Sequence, residues 1–429
     1  MLRPGHAIAL CVLSLLTIGV VMVNSAGMSI DPTRAVTIES IVLSHSTLYM
    51  VIAMSALAGA SVLPVGRLSA LLTGASRPPD RLAAGLPGAV QAMLSLRGLW
   101  LCVAALLAVL AFVYVPVIGK SVNGSARWVG IPTARSGFSF QPSEIAKWAL
   151  LVLVAWYGTT RAHLLGGFLP GLCPALVAVG LIAGFVVIED LGTGVLLGAA
   201  ACLVLVAAGA RVWHFAAFAP VAGVLFAAAV LTSEYRVKRL LSFLDPYADP
   251  EGIGYHMIQS MIAVANGKVF GRGLGHGLQK FGYLPEDRTD FLFAIICEEL
   301  GVMGAAIVIA LYIALIWAGV LVIRRETDRF LKLLGTGILL TVGLQAVINL
   351  AVVTGLGPTK GIALPLLSSG GTGWILTAAS LGVLAAIDRG QRAWPAADQA
   401  EAPPVVVTDG ARRWAGAPAT APATEPITG

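Results

Sequence analysis

The sequence predicts an all-α, polytopic integral membrane protein of about ten transmembrane helices, with a large external loop between the seventh and eighth. Three observations carry this. Charged residues make up only 12% of the 429 and hydrophobic ones 57%, with a mean hydropathy of +0.87; a soluble chain of this length carries about 25% charged residues. Apolar runs of about 20 residues, the length that crosses a bilayer core, recur along most of the chain. Basic residues collect in alternate loops, the pattern that cationic cytoplasmic loops produce. A chain so poor in charge cannot keep its apolar surface out of water, so most of it faces lipid.

The expected spans lie near 7–23, 43–63, 99–118, 142–160, 169–188, 192–210, 212–232, 292–323, 333–354 and 364–387. The first has a second reading as a signal peptide, with Arg3 as its basic start and Ala26 before a cleavage point. Its apolar run is longer than such peptides use, which favours a span. The fourth is the least apolar, because Glu144 and Lys147 fall in its first turns. Pro142 suits its start, where a missing N–H costs nothing.

Orientation follows from the short loops. With the N-terminus in the cytoplasm, the loop after the second span holds Arg67, Arg77, Arg81 and Arg97 against Asp80. The loop after the eighth holds Arg324, Arg325, Arg329 and Lys332 against Glu326 and Asp328, and Arg389 and Arg392 follow the tenth. An even number of spans then leaves both termini in the cytoplasm. Residues 1–392 are read as the transmembrane domain. The Ala-, Pro- and Thr-rich stretch 393–429 cannot bury a core and is expected to be a disordered cytoplasmic tail.

Several local patterns carry little. Cys11, Cys102, Cys173, Cys202 and Cys297 lie in or beside apolar runs without CxxC spacing, so they read as packed thiols. The histidines are scattered, no metal site is expected, and a need for a divalent cation is left open. Gly271–Gly275 has the look of a nucleotide loop but follows no parallel strand, so it reads as a flexible turn. Asn123-Gly124-Ser125 matches a glycosylation site that matters only in a eukaryotic secretory setting. No nucleic-acid partner is expected.

The external side carries the informative charges. The loop at 119–141 holds Lys120, Arg127 and Arg135. Glu144 and Lys147 share one helix face and are too costly to present to lipid, so they should face the protein interior or a water-filled cavity. Glu189-Asp190 occupies the turn between spans five and six. The segment 233–290 carries seven acidic and seven basic residues, which suggests folded structure with internal pairs. Pro358-Thr359-Lys360-Gly361 precedes the tenth span, and Ser368-Ser369-Gly370-Gly371 would let that helix unwind or its neighbours approach. Arg127, Lys147, Lys280 and Lys360 all approach external helix ends, an arrangement suited to a diphosphate at the membrane surface. Each is also explicable as an ordinary loop residue.

These residues form a series. Asn123-Gly124-Ser125-Ala126-Arg127-Trp128, Phe140-Gln141-Pro142-Ser143-Glu144 with Lys147, Asp190-Leu191-Gly192-Thr193 and Phe243-Leu244-Asp245-Pro246 come first. Gln259-Ser260, Gly271–Gly275, Tyr283-Leu284-Pro285-Glu286 and Thr289-Asp290-Phe291 follow. Phe293-Ala294, Glu298-Glu299-Leu300-Gly301, Pro358-Thr359-Lys360-Gly361, Leu364-Pro365 and Ser368, Gly370 and Gly371 complete it. In this order, across about 120–390, the chain resembles the SEDS family (shape, elongation, division and sporulation; FtsW/RodA-like), and looks closer to its division branch. Glu189, His256 and Ser369 stand where that family usually has proline, glutamine and tyrosine.

The resemblance implies a ten-helix peptidoglycan glycosyltransferase in the bacterial cytoplasmic membrane. Its substrate would be lipid II, a disaccharide-pentapeptide on undecaprenyl diphosphate. Its partners would be a class B penicillin-binding protein transpeptidase and other divisome proteins. By the same resemblance Asp290 is the catalytic carboxylate. Glycosyl transfer needs a base to strip the acceptor hydroxyl and cations to hold the leaving diphosphate. Arg127, Lys147, Lys280 and Lys360 are the candidate cations, with Ser368 as a further substrate contact and Glu286 and Glu144 as second-choice carboxylates. The plainer reading of Asp290 is a helix cap, supplied by it or by Thr289. A lipid-precursor flippase, a secondary transporter and a scaffold for a partner enzyme are the other functions considered. External rather than midplane charges count against the transporter.

Overall fold

The structure is a computed structural model that describes residues 3–27, 38–74, 96–115, 119–122, 125–130, 139–369 and 371–401. Its helices are α1 (Pro4–Ala26), the short α2 (Ile38–Val42), α3 (His45–Ser61), α4 (Val65–Thr73) and α5 (Leu96–Ala111). Then come α6 (Pro142–Thr160), α7 (Cys173–Glu189), α8 (Leu191–Ala207), α9 (Val212–Leu231), α10 (Glu234–Leu244) and α11 (Tyr255–Asn266). The last are α12 (Leu292–Arg325), α13 (Arg329–Val353) and α14 (Thr372–Glu401). Each of the ten expected spans overlaps a helix, but the last helix starts at Thr372, so Ser368 and Ser369 lie in the loop before it and not inside the span expected from 364. The chain is a multi-pass membrane protein: α1, α7 with the π-turn before it, α9, α12 and α13 are each long and apolar enough to cross a bilayer. The α3–α4 pair, bent by 68°, qualifies as one more, while α5 and α8 are shorter apolar helices. The last helix continues past residue 393 to Glu401, and residues 402–429 of the expected tail lie outside the described residues.

One element departs from an all-helical chain. The stretch read as a loop at 119–141 contains a small antiparallel sheet of β1 (Gly119–Val122), β2 (Ser125–Gly130) and β3 (Ser139–Phe140). Lys120 pairs with Trp128 and Val129 with Phe140. This anchors the backbone at Arg127 beside the start of α6.

Helices α6, α8 and α13 pack against one another at the centre. Gly337 of α13 sits where they meet, since a Cβ there would come within 3.1 Å of Val204 and 3.2 Å of Leu151. Lipid gives little hydrophobic drive between helices, so close backbone approach at small residues supplies the contact. α1 lies along α12.

α12 is too long to be one straight span. At about 1.5 Å per residue it would exceed a core of about 30 Å, and it breaks at Gly301 (φ 66°, ψ −163°). Only glycine adopts that conformation readily, and a Cβ at Gly301 would lie 2.4 Å from the Gly271 nitrogen. The break strands backbone groups that must find partners. The 268–273 segment supplies them. Arg272 and Gly273 N–H groups donate to the Glu298 and Glu299 carbonyls (3.0 and 2.9 Å), and Val302 and Met303 donate to Lys268 and Val269 (3.0 and 3.2 Å). Gly271, Gly273 and Gly275 adopt φ of 76°, 98° and 82° to follow this path. The glycine-rich run is therefore a fixed strap across a broken helix, not a flexible turn.

Below the strap, Glu298 and Glu299 are both fully buried. Glu299 accepts from Lys280 Nζ at 2.7 Å, Ser25 Oγ at 2.7 Å and the Gly275 N–H at 2.9 Å. Glu298 accepts from the Leu278 and Gln279 N–H groups at 3.0 and 3.2 Å, with Arg272 at 3.8 Å. Of the expected internal pairs of the 233–290 segment, Lys238 and Glu234 pair within α10. Arg272 and Lys280 instead reach across to α12.

Candidate functional site

A cavity of about 1010 Å³ is lined by β2, the α7–α8 turn, α10, the residues just before α12, and the 358–369 loop. Arg127, Glu144, Lys147, Glu286, Asp290, Lys360 and Ser368 all border it. Lys280 does not. It is 4% exposed and spent on the Glu299 pair, so the expectation that it faces a substrate diphosphate has a structural alternative in helix-break stabilisation.

Asp290 sits at the cavity wall, partly reachable through the opening yet surrounded by protein on most sides. It does not cap α12: Phe291 occupies that position and makes no side-chain capping hydrogen bond. Thr289 instead donates to Glu286, its Oγ1 lying 2.8 Å from Glu286 Oε2. Burial pushes the Asp290 carboxyl up to about 7, helped by the negative charges of Glu286 and Asp190 and opposed by Arg239 and Arg127. Gly361 passes so close that a Cβ on it would stand 3.1 Å from Asp290 Oδ2. A residue with any side chain at 361 would crowd the carboxylate.

The cations are held in different ways. Arg127 lies 3.4 Å from Asp190 and donates through Nε to the Glu189 carbonyl at 3.0 Å. Asp190 also caps α8, accepting from the Thr193 N–H at 3.0 Å and its hydroxyl at 2.9 Å, so one carboxylate joins helix start and arginine. The Lys360 ammonium makes no hydrogen bond or ion pair among the described residues, although its backbone carbonyl accepts from the Ile362 N–H at 2.9 Å. Burial lowers its pKa, with Asp190 acting against this. It is a cation in a cavity wall without a counter-ion in contact.

Two further cations line the cavity that sequence reasoning did not single out, Arg236 and Arg239. They lie three apart on the amphipathic α10, hence on one face, and that spacing was the available signal. Arg236 donates to the Val187 and Ile188 carbonyls at 2.9 and 2.7 Å, where a cation suits the negative end of α7. Arg239 stacks over Tyr235, 4.5 Å from its ring centre, and reaches the Thr359 carbonyl at 3.5 Å.

Lys147 is 1% exposed, 2.8 Å from Glu144, and donates to Gln345 Oε1 at 3.3 Å. The pair faces the interior, as its cost against lipid requires, but the lysine's charge is already answered. Ser368 is buried and its hydroxyl accepts from the Leu364 N–H at 2.9 Å. It closes its own loop, in which Leu366 takes a φ of 64°. Of the three departures from the family pattern, Glu189 accepts from Tyr114 Oη at 2.8 Å. His256 stacks on Phe291 with ring centres 6.1 Å apart, and the Ser369 N–H donates to the Arg288 carbonyl at 2.9 Å. Among the described residues no group of three or more His, Cys, Asp or Glu could hold a metal ion.

Comparison with known proteins adds to this geometry. Residues 88–393 match the family of cell cycle proteins that groups FtsW, RodA and SpoVE. A probable peptidoglycan glycosyltransferase FtsW of Geobacter sp. (strain M18) is 40% identical over 276 residues, 64% of this chain and 74% of that protein. Stage V sporulation protein E of Bacillus subtilis is 38% identical over 286 residues, 66% of this chain and 76% of that protein. Among solved structures, a chain of a peptidoglycan synthase complex that coordinates polymerization and crosslinking matches with a TM-score of 0.61 and 25% identity. The match covers 90% of this chain and 97% of that one. A variant of the rod shape determining protein RodA of Thermus thermophilus has the same fold, with a TM-score of 0.56 at 21% identity and the same coverage.

Proposed function

The chain belongs to the family of cell cycle proteins that groups FtsW, RodA and SpoVE, and from that premise we propose that it is a peptidoglycan glycosyltransferase. It polymerises lipid II into glycan strands, for septal wall synthesis in cell division; the relatives named FtsW favour that branch. The observation that carries the chemistry is a carboxylate, Asp290, raised to about 7 in a cavity that also holds Arg127, Arg239 and Lys360.

Asp290 accepts the proton of the acceptor sugar hydroxyl as its oxygen attacks the anomeric carbon of the donor. The bond from that carbon to the diphosphate oxygen breaks, and undecaprenyl diphosphate leaves with the electron pair. A base near neutrality is matched to this task. The growing charge on the leaving group falls to Lys360, which has no counter-ion in contact, with Arg127 and Arg239 beside it. A class B penicillin-binding protein would supply crosslinking, a reading supported by the likeness to a chain of a peptidoglycan synthase complex, and other divisome proteins would recruit the pair.

The experiment is lipid II polymerisation by the purified protein, with and without the transpeptidase. Glycan polymer that requires Asp290 is the expected result. Transbilayer movement of lipid II without any polymer would instead make the protein a flippase. In the same assay Lys360→Ala should lower kcat/KM by about 10–100-fold, the worth of one charge-assisted contact. Its melting temperature should stay at the wild-type value. A variant that unfolds while its folded fraction remains fully active would make Lys360 structural.

Orientation in the inner membrane follows from the same reading, with both termini in the cytoplasm and the cavity external. The basic loop at Arg324 and Arg325 then faces the cytoplasm and the 233–290 segment faces outward. Single cysteines introduced at positions 250 and 325 should react with an impermeant reagent from opposite sides of the membrane. Labelling of both in intact cells would overturn this arrangement.

A further inference from the structure

We propose that Asn349 is a positioning residue for the reaction: its buried amide clamps the loop carrying Asp290 to the loop carrying Lys360 and sets the register of base and cation. The inference rests on the glycosyltransferase reading above and adds to it a residue that touches neither substrate nor cavity.

Asn349 lies on α13, in the helix packed between α6 and α8, and is 1% exposed. Its Nδ2 donates to the Asp290 carbonyl at 2.7 Å and to the Ile362 carbonyl at 2.8 Å. Both protons of the amide are thereby used. The opposite rotamer would set Oδ1 against two carbonyl oxygens, so chemistry alone fixes the orientation. The remaining atom, Oδ1, is buried and meets no donor among the described residues. The two N–H bonds are what the position is built to supply.

The neighbouring turn repeats the device. Gln345, four residues earlier on the same face, donates to the Ala363 carbonyl at 2.8 Å while its Oε1 takes the Lys147 bond. One face of a central helix thus grips three backbone points on two loops that have no regular structure of their own. The loops meet tightly at the site itself, with Gly361 against the Asp290 carboxylate. Slack at Asn349 would pass directly into the spacing of Asp290 and Lys360, and a misplacement of about 1 Å can cost about 10²-fold in rate.

The test compares the full-length Asn349→Leu protein with wild type in steady-state lipid II polymerisation. The expected result is a kcat lower by about 10–100-fold with KM changed less than about threefold, because the clamp acts on the reacting geometry and not on binding. The inflection of the pH–rate profile should also move to lower pH. A loosened loop admits water to Asp290, while Glu286, Asp190, Arg239 and Arg127 still surround it. If Asn349→Leu does not fold, Asn349→Ser, smaller and with one donor, is read by the same two measurements. Wild-type kcat and pH profile per folded molecule in the variant that folds would overturn the clamp. Asp290→Asn, run alongside, separates the two readings. Full activity there removes the base assignment itself, whereas an inactive Asp290→Asn beside a wild-type Asn349→Leu removes the clamp alone.

Discussion

Asp290→Asn is expected to lower lipid II polymerisation by about 10²–10⁴-fold, the usual contribution of a positioned base. Binding of lipid II and assembly with a transpeptidase should survive. Asn keeps the size of the side chain, and the backbone carbonyl at 290 still accepts from Asn349. The start of α12 is unaffected, because Phe291 and not Asp290 stands at its cap. The substitution should also stabilise the protein as pH rises. The folded carboxyl titrates at about 7, above the unfolded value of about 4, so the folded state binds the extra proton between those limits and wild-type stability falls as pH rises through them. The gap in melting temperature between Asn variant and wild type should therefore widen from pH 5 to pH 8. Near-normal polymer from the purified variant would move the chemistry elsewhere, with Glu286 next to test.

Lys280→Ala should act through the fold. It leaves Glu299 in a fully buried site with its cation gone, and breaking such a pair typically costs about 3–5 kcal/mol. Glu299 would keep Ser25 and the Gly275 N–H, so the strap over the Gly301 break should loosen before α1 separates from α12. Thermal unfolding in detergent and hydrogen exchange over 268–280 would both register this. Pairing Lys280→Met with Glu299→Leu should recover much of the loss, since a buried apolar pair avoids the desolvation penalty. Unchanged stability with weakened lipid II use would return Lys280 to the list of substrate contacts.

The spans were legible because the bilayer sets their length, so a run of apolar residues near 292–323 announces a helix whatever its neighbours. The break within it was less so: Gly301 reads as one glycine among many until the Gly271–Gly275 run is seen to lie against it. Lys280 and Lys360 look alike in sequence, each a lysine in a segment that precedes α12 or α14. Only packing reveals that the first meets Glu299 and the second meets none among the described residues. Arg236 and Arg239 carried a signal in their helical spacing, masked by Lys238 and Glu234 on the same helix. Asn349 carried none, because a polar residue in an apolar span does not say which backbone carbonyls it will meet. The sheet at Arg127 was hidden by its shortness.

Asp290 acts as a largely enclosed base poised near neutrality, and the pH dependence of kcat/KM for lipid II polymerisation by the purified protein tests that most directly. The carboxyl must be ionised to accept a proton, so the rate should climb about tenfold per pH unit below 7 and level off above it, with the inflection absent from the residual activity of Asp290→Asn. A profile flat between pH 5 and pH 8, or one whose inflection persists in the Asn variant, would contradict it.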